Sequence, residues 1–259
     1  MAGLCGGPRR APGSPGLLLN PSPLCLRLHA PSLLPSTLDA LPMPWLLIAA
    51  LGAGYLLGSI PTGWLAGHWL AGLDIRSQGS GSTGATNVLR VLGKGPALAV
   101  FLVDVLKGTA AVLLARYLLE TGLGGMAGTQ DPGLVDWAVV AAGLAALAGH
   151  IWPIWLGGKG GKAVATGLGM LLGLAWPVGL ASFGVFLAVL SLSRVVSLAS
   201  VVAALALPLL MAAWSAPTGL RPAYMALAVL TTLLVVWRHR ANLQRIWAGT
   251  EPRLGQKGQ

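Results

Sequence analysis

Seven stretches of at least 15 residues run through this chain with very few charges, and they constrain its fold more than any other feature. They are residues 44–72, 96–119, 134–151, 163–177, 178–192, 198–214 and 222–237. A helix needs roughly 20 apolar residues to cross the hydrocarbon core of a bilayer, so a chain of this length has room for about six to eight crossings. Hydrophobic residues make up 55% of the chain and charged residues 9%, with a mean hydropathy of +0.74, which is outside the range of a water-soluble globule. The expected fold is an all-α polytopic membrane protein with seven transmembrane helices. Pro61 predicts a kink in the first span, and Trp176-Pro177 separates the fourth from the fifth.

The formal net charge is +10, from 17 Lys and Arg against 7 Asp and Glu. A nucleic-acid surface would interleave its cations with aromatics, whereas this chain has three Phe and three Tyr and its cations punctuate apolar runs. No nucleic acid is expected, and the lipid bilayer is the partner. Numbering the connections alternately places Arg76, Arg90, Lys94, Lys159, Lys162, Arg194, Arg238, Arg240, Arg245, Arg253 and Lys257 on one side. The opposite connections hold Glu120, Asp131 and Asp136, with Arg221 as their cation. By the positive-inside rule the basic side faces the cytoplasm, with the C-terminus inside and the start of the first span outside.

Residues 1–42 read differently. Pro12, Pro15, Pro21, Pro23, Pro31 and Pro35 interrupt every apolar run there, and both cysteines, Cys5 and Cys25, fall in the same stretch. A disordered leader is expected, not a signal peptide, with translation starting at or near Met43. Residues 43–255 then form the membrane domain and 256–259 a flexible tail. That domain has no cysteine, which excludes disulfides, thiolate zinc sites and cysteine nucleophiles.

Three polar segments fall on the basic side. The first is Gly79-Ser-Gly-Ser-Thr-Gly-Ala-Thr-Asn87-Val-Leu-Arg90. Gly79, Gly81 and Gly84 let successive N–H groups converge, Ser80 and Thr86 add hydroxyls, and Arg90 offers a forked cation suited to phosphate. Ala85 to Leu92 lacks glycine and can form a short helix whose N-terminus the loop feeds. The second segment, Gly149 to Thr166, places Lys159 and Lys162 among Gly157, Gly158, Gly160 and Gly161, an anion cradle just before a helix. It resembles a Walker A loop only superficially, because Leu156 stands where that motif needs Gly and Ala163 where it needs Ser or Thr. The third, Arg238 to Glu251, brings His239 and Asn242 to one side of a helix. A phosphate-bearing ligand at the cytoplasmic membrane surface is the simplest common cause of all three.

Other ionisable groups read as structural. Asp104 and Lys107 are three apart inside the second span, where unpaired charge is costly, so they are expected to pair with each other or with a neighbouring helix. His68 reads as a packing residue and His150 is ambiguous. No His-x-x-x-x-Asp pair, no Gly-x-Ser-x-Gly elbow and no carboxylate cluster for a metal occurs. A transporter would place its site near the midplane and often repeat its motifs, but no repeat of these segments is present.

The conjunction of Ser80-Gly-Ser-Thr-Gly-Ala-Thr-Asn-Val-Leu-Arg90, Lys159-Gly-Gly-Lys162-Ala-Val-Ala-Thr166 and His239-Arg-Ala-Asn242-Leu-Gln-Arg245 through Gly249 and Glu251 closely resembles the bacterial acyl-phosphate-dependent glycerol-3-phosphate acyltransferases. Asp104-Val-Leu-Lys107-Gly108 and Ser193 to Ser200 match that family too, and the resemblance covers residues 43–255. Departures are Ser82 and Thr83 in the first loop and Ala163 in the second. The resemblance implies transfer of a fatty acyl group from acyl phosphate to the 1-hydroxyl of glycerol 3-phosphate in the bacterial inner membrane. The product would be lysophosphatidic acid, made in the first committed step of phospholipid synthesis without cofactor or metal. It further implies that Ser80, Arg90, Lys162, His239 and Asn242 hold the substrate oxyanions, with glycines 157, 158, 160 and 161 forming an acyl-phosphate loop and Glu251 anchoring the tail. A substrate phosphate would accept the hydroxyl proton.

Overall fold

The computed structural model describes residues 43–121, 132–217 and 219–255. The expected leader 1–42 and tail 256–259 lie outside the described residues, as does Asp131. All regular structure among the described residues is helical. The apolar runs form α1 (Met43–Ser59), α2 (Thr62–Ala71), α4 (Lys94–Thr121), α5 (Pro132–Ile151), α6 (Val164–Leu174), α7 (Trp176–Ser193), α8 (Val196–Ser215) and α9 (Pro222–Arg238). Two shorter helices, α3 (Ala85–Leu92) and α10 (Arg240–Trp247), come from the first and third polar segments.

Two prolines show how the bundle repairs defects in its own backbone. Pro61 interrupts the first apolar run and has no N–H for the Leu57 carbonyl, which accepts the Ile60 N–H (3.3 Å) instead. The Ile60 carbonyl at the break accepts from the Thr62 N–H and from Lys107 Nζ on α4, both at 3.0 Å. Pro208 lies inside α8 and has no N–H for the Ala204 carbonyl one turn earlier. The Thr232 hydroxyl on α9 donates to that carbonyl instead, at 2.6 Å, and so joins α8 to α9 at the defect.

Close approach of helices is set by small residues. α1 packs on α5, and α4 packs on α6. A Cβ on Gly58 would collide with the Ala146 carbonyl, and one on Gly169 with the Val105 carbonyl. Lipid is as apolar as a neighbouring helix, so association rests on tight packing of this kind. Leu147, Ile151, Met170, Leu207, Met211 and Leu227 fill the centre, whereas Leu106, Leu180, Leu209 and Leu233 are exposed on the outside, as a lipid-facing surface requires.

The expected seven crossings are not all long enough. Among the described residues, five segments have the length and apolarity to span a membrane, or six if Pro222–Arg238 and Arg240–Trp247, bent by 57°, count as one. With six counted, the shortfall is at the predicted fourth span, because α6 has 11 residues. That is about 16 Å of helix against about 30 Å of hydrocarbon. The run is shortened at both ends: Ala163 leaves the loop in a left-handed conformation (φ 59°), and Ala175 breaks the helix before Trp176-Pro177 starts α7.

Candidate active site

One side chain folds the first polar segment. Asn87, 1% exposed, donates its amide to the carbonyls of Ile75 (3.0 Å), Gln78 (3.1 Å) and Ser82 (2.9 Å), and accepts the Ser80 N–H (2.8 Å). Its amide is spent in tying the loop to the start of α3. Gly79 and Gly81 adopt φ of +57° and +70°, which glycine tolerates without a Cβ clash.

The second segment departs from its expected form. A cradle needs free N–H groups, but those of Gly158, Lys159, Gly160 and Gly161 donate to the carbonyls of Pro153, Leu156, Ile151 and His150, at 3.0 to 3.3 Å. The Gly161 carbonyl in turn accepts from Arg238 (2.9 Å). The loop is a closed turn, and what it delivers to the site is Lys162 and the first turn of α6, whose N–H groups have no partner within the helix.

A pocket of about 120 Å³ brings together Ser80, Arg90, Lys162, His239 and Asn242, with Gly84, Thr86 and Asn87 also in its wall. The remaining predicted residues lie elsewhere. Gly79 lines a wide cleft beside Lys94 and Arg253, and Gly81, Gly158, Lys159 and Gly160 line another beside Arg76 and Arg238. Gly157 and Gly161 line neither cleft nor the pocket. Both α3 and α6 begin at the pocket, through Ala85 and Thr86 and through Val164 and Ala165, so two positive helix ends meet there.

Lys162 is a cation that this environment perturbs. Burial is the main cause that lowers its pKa to about 8; Glu251 opposes the shift, and Arg245, Arg90 and Arg238 add to it. Its Nζ donates to Asn242 Oδ1, and Asn242 Nδ2 donates to Glu251 Oε1 (2.6 Å). Glu251 also accepts from Ser197 Oγ (2.7 Å) and Arg245 Nε (2.7 Å). Burial works against its charge, but the hydrogen bonds from Asn242, Ser197 and Arg245 outweigh burial and keep the carboxyl below its usual range. His239, 3% exposed, has Nδ1 2.8 Å from the Val235 carbonyl, which fixes the proton of the neutral ring there and leaves Nε2 as an acceptor.

The pocket opens into an apolar groove. Phe101, Ala163, Val164, Ala165 and Phe186 line both, and the groove continues between Leu171, Leu207 and Val235. Among the described residues, no group of three His, Cys, Asp or Glu could hold a metal.

Comparison with known proteins decides what this arrangement belongs to. A family model described as glycerol-3-phosphate acyltransferase matches residues 48–249. The chain belongs to the glycerol-3-phosphate acyltransferase family. A glycerol-3-phosphate acyltransferase of Prochlorococcus marinus (strain MIT 9313) is 65% identical over 210 residues, covering 81% of this chain and 95% of the relative. That of Parasynechococcus marenigrum (strain WH8102) is 59% identical over 232 residues, covering 90% and 98%. The crystal structure of PlsY (YgiH), an integral membrane glycerol 3-phosphate acyltransferase, in its glycerol 3-phosphate form matches with a TM-score of 0.68 at 34% identity, over 81% of this chain and 96% of that one. Its lysphosphatidic acid form gives 0.66 at 34%, over 81% and 95%.

The pocket also contains residues that the sequence did not place among the substrate ligands. Ser197 and Ser200 line it, and their spacing of three at the start of α8, which places them on one side of the helix, was the available signal. Asp104 and His150 line it too. The expected pair of Asp104 with Lys107 is present at 2.8 Å, but Asp104 Oδ1 also accepts from Thr62 Oγ1 (2.7 Å) and lies 3.6 Å from His150 Nδ1. A carboxylate–histidine pair, missing as a sequence motif, is thus assembled across α4 and α5. His68 is exposed and stacks on Trp64 with 5.0 Å between ring centroids, apart from the pocket.

Proposed function

We propose that this acyltransferase moves a fatty acyl group from acyl phosphate to the 1-hydroxyl of glycerol 3-phosphate, releasing lysophosphatidic acid and inorganic phosphate. The carrying observation is a single pocket where Arg90, Lys162 and two helix N-termini meet at the mouth of an apolar groove. The cationic end suits phosphate oxyanions, and the apolar lining of the groove suits an acyl chain. Solved structures of the 34%-identical relative in glycerol 3-phosphate and lysphosphatidic acid forms support the acceptor and the product.

An acyl phosphate is a mixed anhydride and already activated, so orientation and charge stabilisation are the main demands on the protein. The 1-hydroxyl oxygen attacks the carbonyl carbon, the carbon–oxygen bond to phosphate breaks, and phosphate departs with the bonding electrons. Arg90, Lys162 and the first turns of α3 and α6 stabilise the negative charge that develops. His239 Nε2 accepts from a glycerol hydroxyl and orients it. The two pocket carboxylates, Asp104 and Glu251, are each held by several donors, so a substrate phosphate takes the hydroxyl proton.

We read the seven apolar segments as seven crossings, with α6 the short one, in a bacterial plasma membrane. The outside start of α1 and cytoplasmic C-terminus follow from charge. At the basic end, Arg76 donates to Leu156 O (3.2 Å), Arg238 to Gly161 O (2.9 Å), and the Leu254 N–H to Arg194 O (2.7 Å). The opposite end is poorer in cations and pairs Arg221 with Asp136 (3.5 Å) and Arg116 with Glu120 (3.9 Å).

The reading is tested with purified protein in lipid, given glycerol 3-phosphate and either palmitoyl phosphate or palmitoyl-CoA. Lysophosphatidic acid forms from the phosphate donor alone, and Arg90→Ala or Lys162→Ala lowers turnover by at least about 100-fold. Product from the CoA ester at a comparable rate would refute the assigned donor.

A further inference from the structure

Asp104 and His150 are 1% and 6% exposed, and the reaction above gives neither a direct task. Lys107 alone would neutralise Asp104, since its Nζ is 2.8 Å from Oδ1 before reaching the Ile60 carbonyl at 3.0 Å. Lys107 does not line the pocket, however, whereas Asp104 does. There Asp104 meets His150 Nδ1 at 3.6 Å, and the same nitrogen is 3.3 Å from Thr166 Oγ1 on the first turn of α6. The imidazole is therefore held between α4 and α6. Its other nitrogen abuts the loop, because a Cβ on Gly161 would overlap Nε2. The His150 carbonyl accepts the Gly161 N–H (3.1 Å), and the adjacent Ile151 carbonyl accepts the Gly160 N–H (3.1 Å). Lys162 is the next residue and reaches Asn242 across the pocket.

The geometry points to Asp104 and His150 as positioning residues that act through Lys162. Asp104 and Thr166 fix the imidazole, its ring and main-chain carbonyl hold Gly160 and Gly161, and the loop sets where the Lys162 ammonium stands. Neither residue moves a proton in the reaction. This role rests on the proposed acyl transfer and adds to it the support for its main cation. A buried charged network used only for folding would have no reason to end on the glycine pair next to that cation.

A double-mutant cycle tests the role. His150→Leu is expected to lower kcat about 100-fold, the effect of misplacing a reacting group by roughly an ångström. In a Lys162→Ala background the same change is expected to cost less than about threefold, because a residue acting through Lys162 has nothing left to position. His150→Asn, which places an amide nitrogen near the site of Nδ1, restores kcat to within about tenfold of the parent. Thr166→Val removes the other contact to the ring and supplies the same cycle if His150→Leu does not fold. Losses that multiply in the double variant, or an unchanged kcat in His150→Leu, would overturn the role. The cycle is also read as affinity for glycerol 3-phosphate by calorimetry, which needs no turnover. Absence of turnover in the parent protein therefore refutes the proposed reaction alone, and additive losses of affinity refute the positioning role.

Discussion

Lys162 couples the electrostatics of the site to pH. Burial first, then the repulsion of Arg245, Arg90 and Arg238 against the pull of Glu251, brings its pKa to about 8. The ammonium is present below that value and loses its proton as pH rises through it. With the empty enzyme titrating in this way, kcat/KM for glycerol 3-phosphate falls about tenfold per pH unit on the alkaline side. Lys162→Arg keeps its charge and loses that limb of the profile, while a parent profile flat to about pH 10 would contradict the assignment. Asn87 makes a second residue-scale case. Asn87→Ala strands the Ile75, Gln78 and Ser82 carbonyls at about 1–3 kcal/mol each, so the first loop opens and activity falls at least tenfold. Limited trypsin digestion reads the opening as faster cleavage after Arg76.

At the scale of elements, glycine spacing decides how closely helices approach. Gly169→Ala drives a Cβ into the Val105 carbonyl, and backbone cannot swing aside as a side chain can. A cost of about 1–3 kcal/mol is expected, read as a lower melting temperature in detergent, whereas Gly52→Ala, with nothing within 4 Å of its new Cβ, is neutral. In the groove, Ala204→Leu fills space between α6 and α8 and raises KM for palmitoyl phosphate about tenfold relative to a shorter acyl phosphate. Much of this level was legible in the sequence. All seven predicted apolar segments, beginning at residues 44, 96, 134, 163, 178, 198 and 222, start within two residues of α1, α4, α5, α6, α7, α8 and α9, although α6 is too short to cross a bilayer. The expected short helix from Ala85 to Leu92 is α3, and Pro61 breaks the first run as its missing N–H requires. The direction of the loop N–H groups was not legible. A glycine-lysine run states that the backbone can converge, but whether its donors face a ligand or upstream carbonyls depends on how Ile151 and His150 are held. The Asp104–His150 pair was hidden for a related reason: its partners lie on different helices and meet only once α4 and α5 are placed against α6.

At the scale of the whole molecule, the described helices gather their cations at one end and pair Arg116 and Arg221 with carboxylates at the other, and that asymmetry carries the proposed orientation. With Cys5 and Cys25 replaced, a single cysteine at Lys94 reacts with a membrane-impermeant thiol reagent only from the cytoplasmic side, and one at Gly219 only from outside; the reverse pattern would invert the topology. The same asymmetry lets a water-soluble phosphate and a lipid-embedded acyl chain meet at one pocket, which is the central claim. Its most direct test uses glycerol 3-phosphate labelled with oxygen-18 in the 1-hydroxyl, palmitoyl phosphate and the reconstituted protein, with both products analysed by mass spectrometry. Attack on the carbonyl carbon predicts that lysophosphatidic acid keeps the label in its ester bond and that the released inorganic phosphate has none. Label in the phosphate, or no lysophosphatidic acid from the acyl phosphate, would contradict the account.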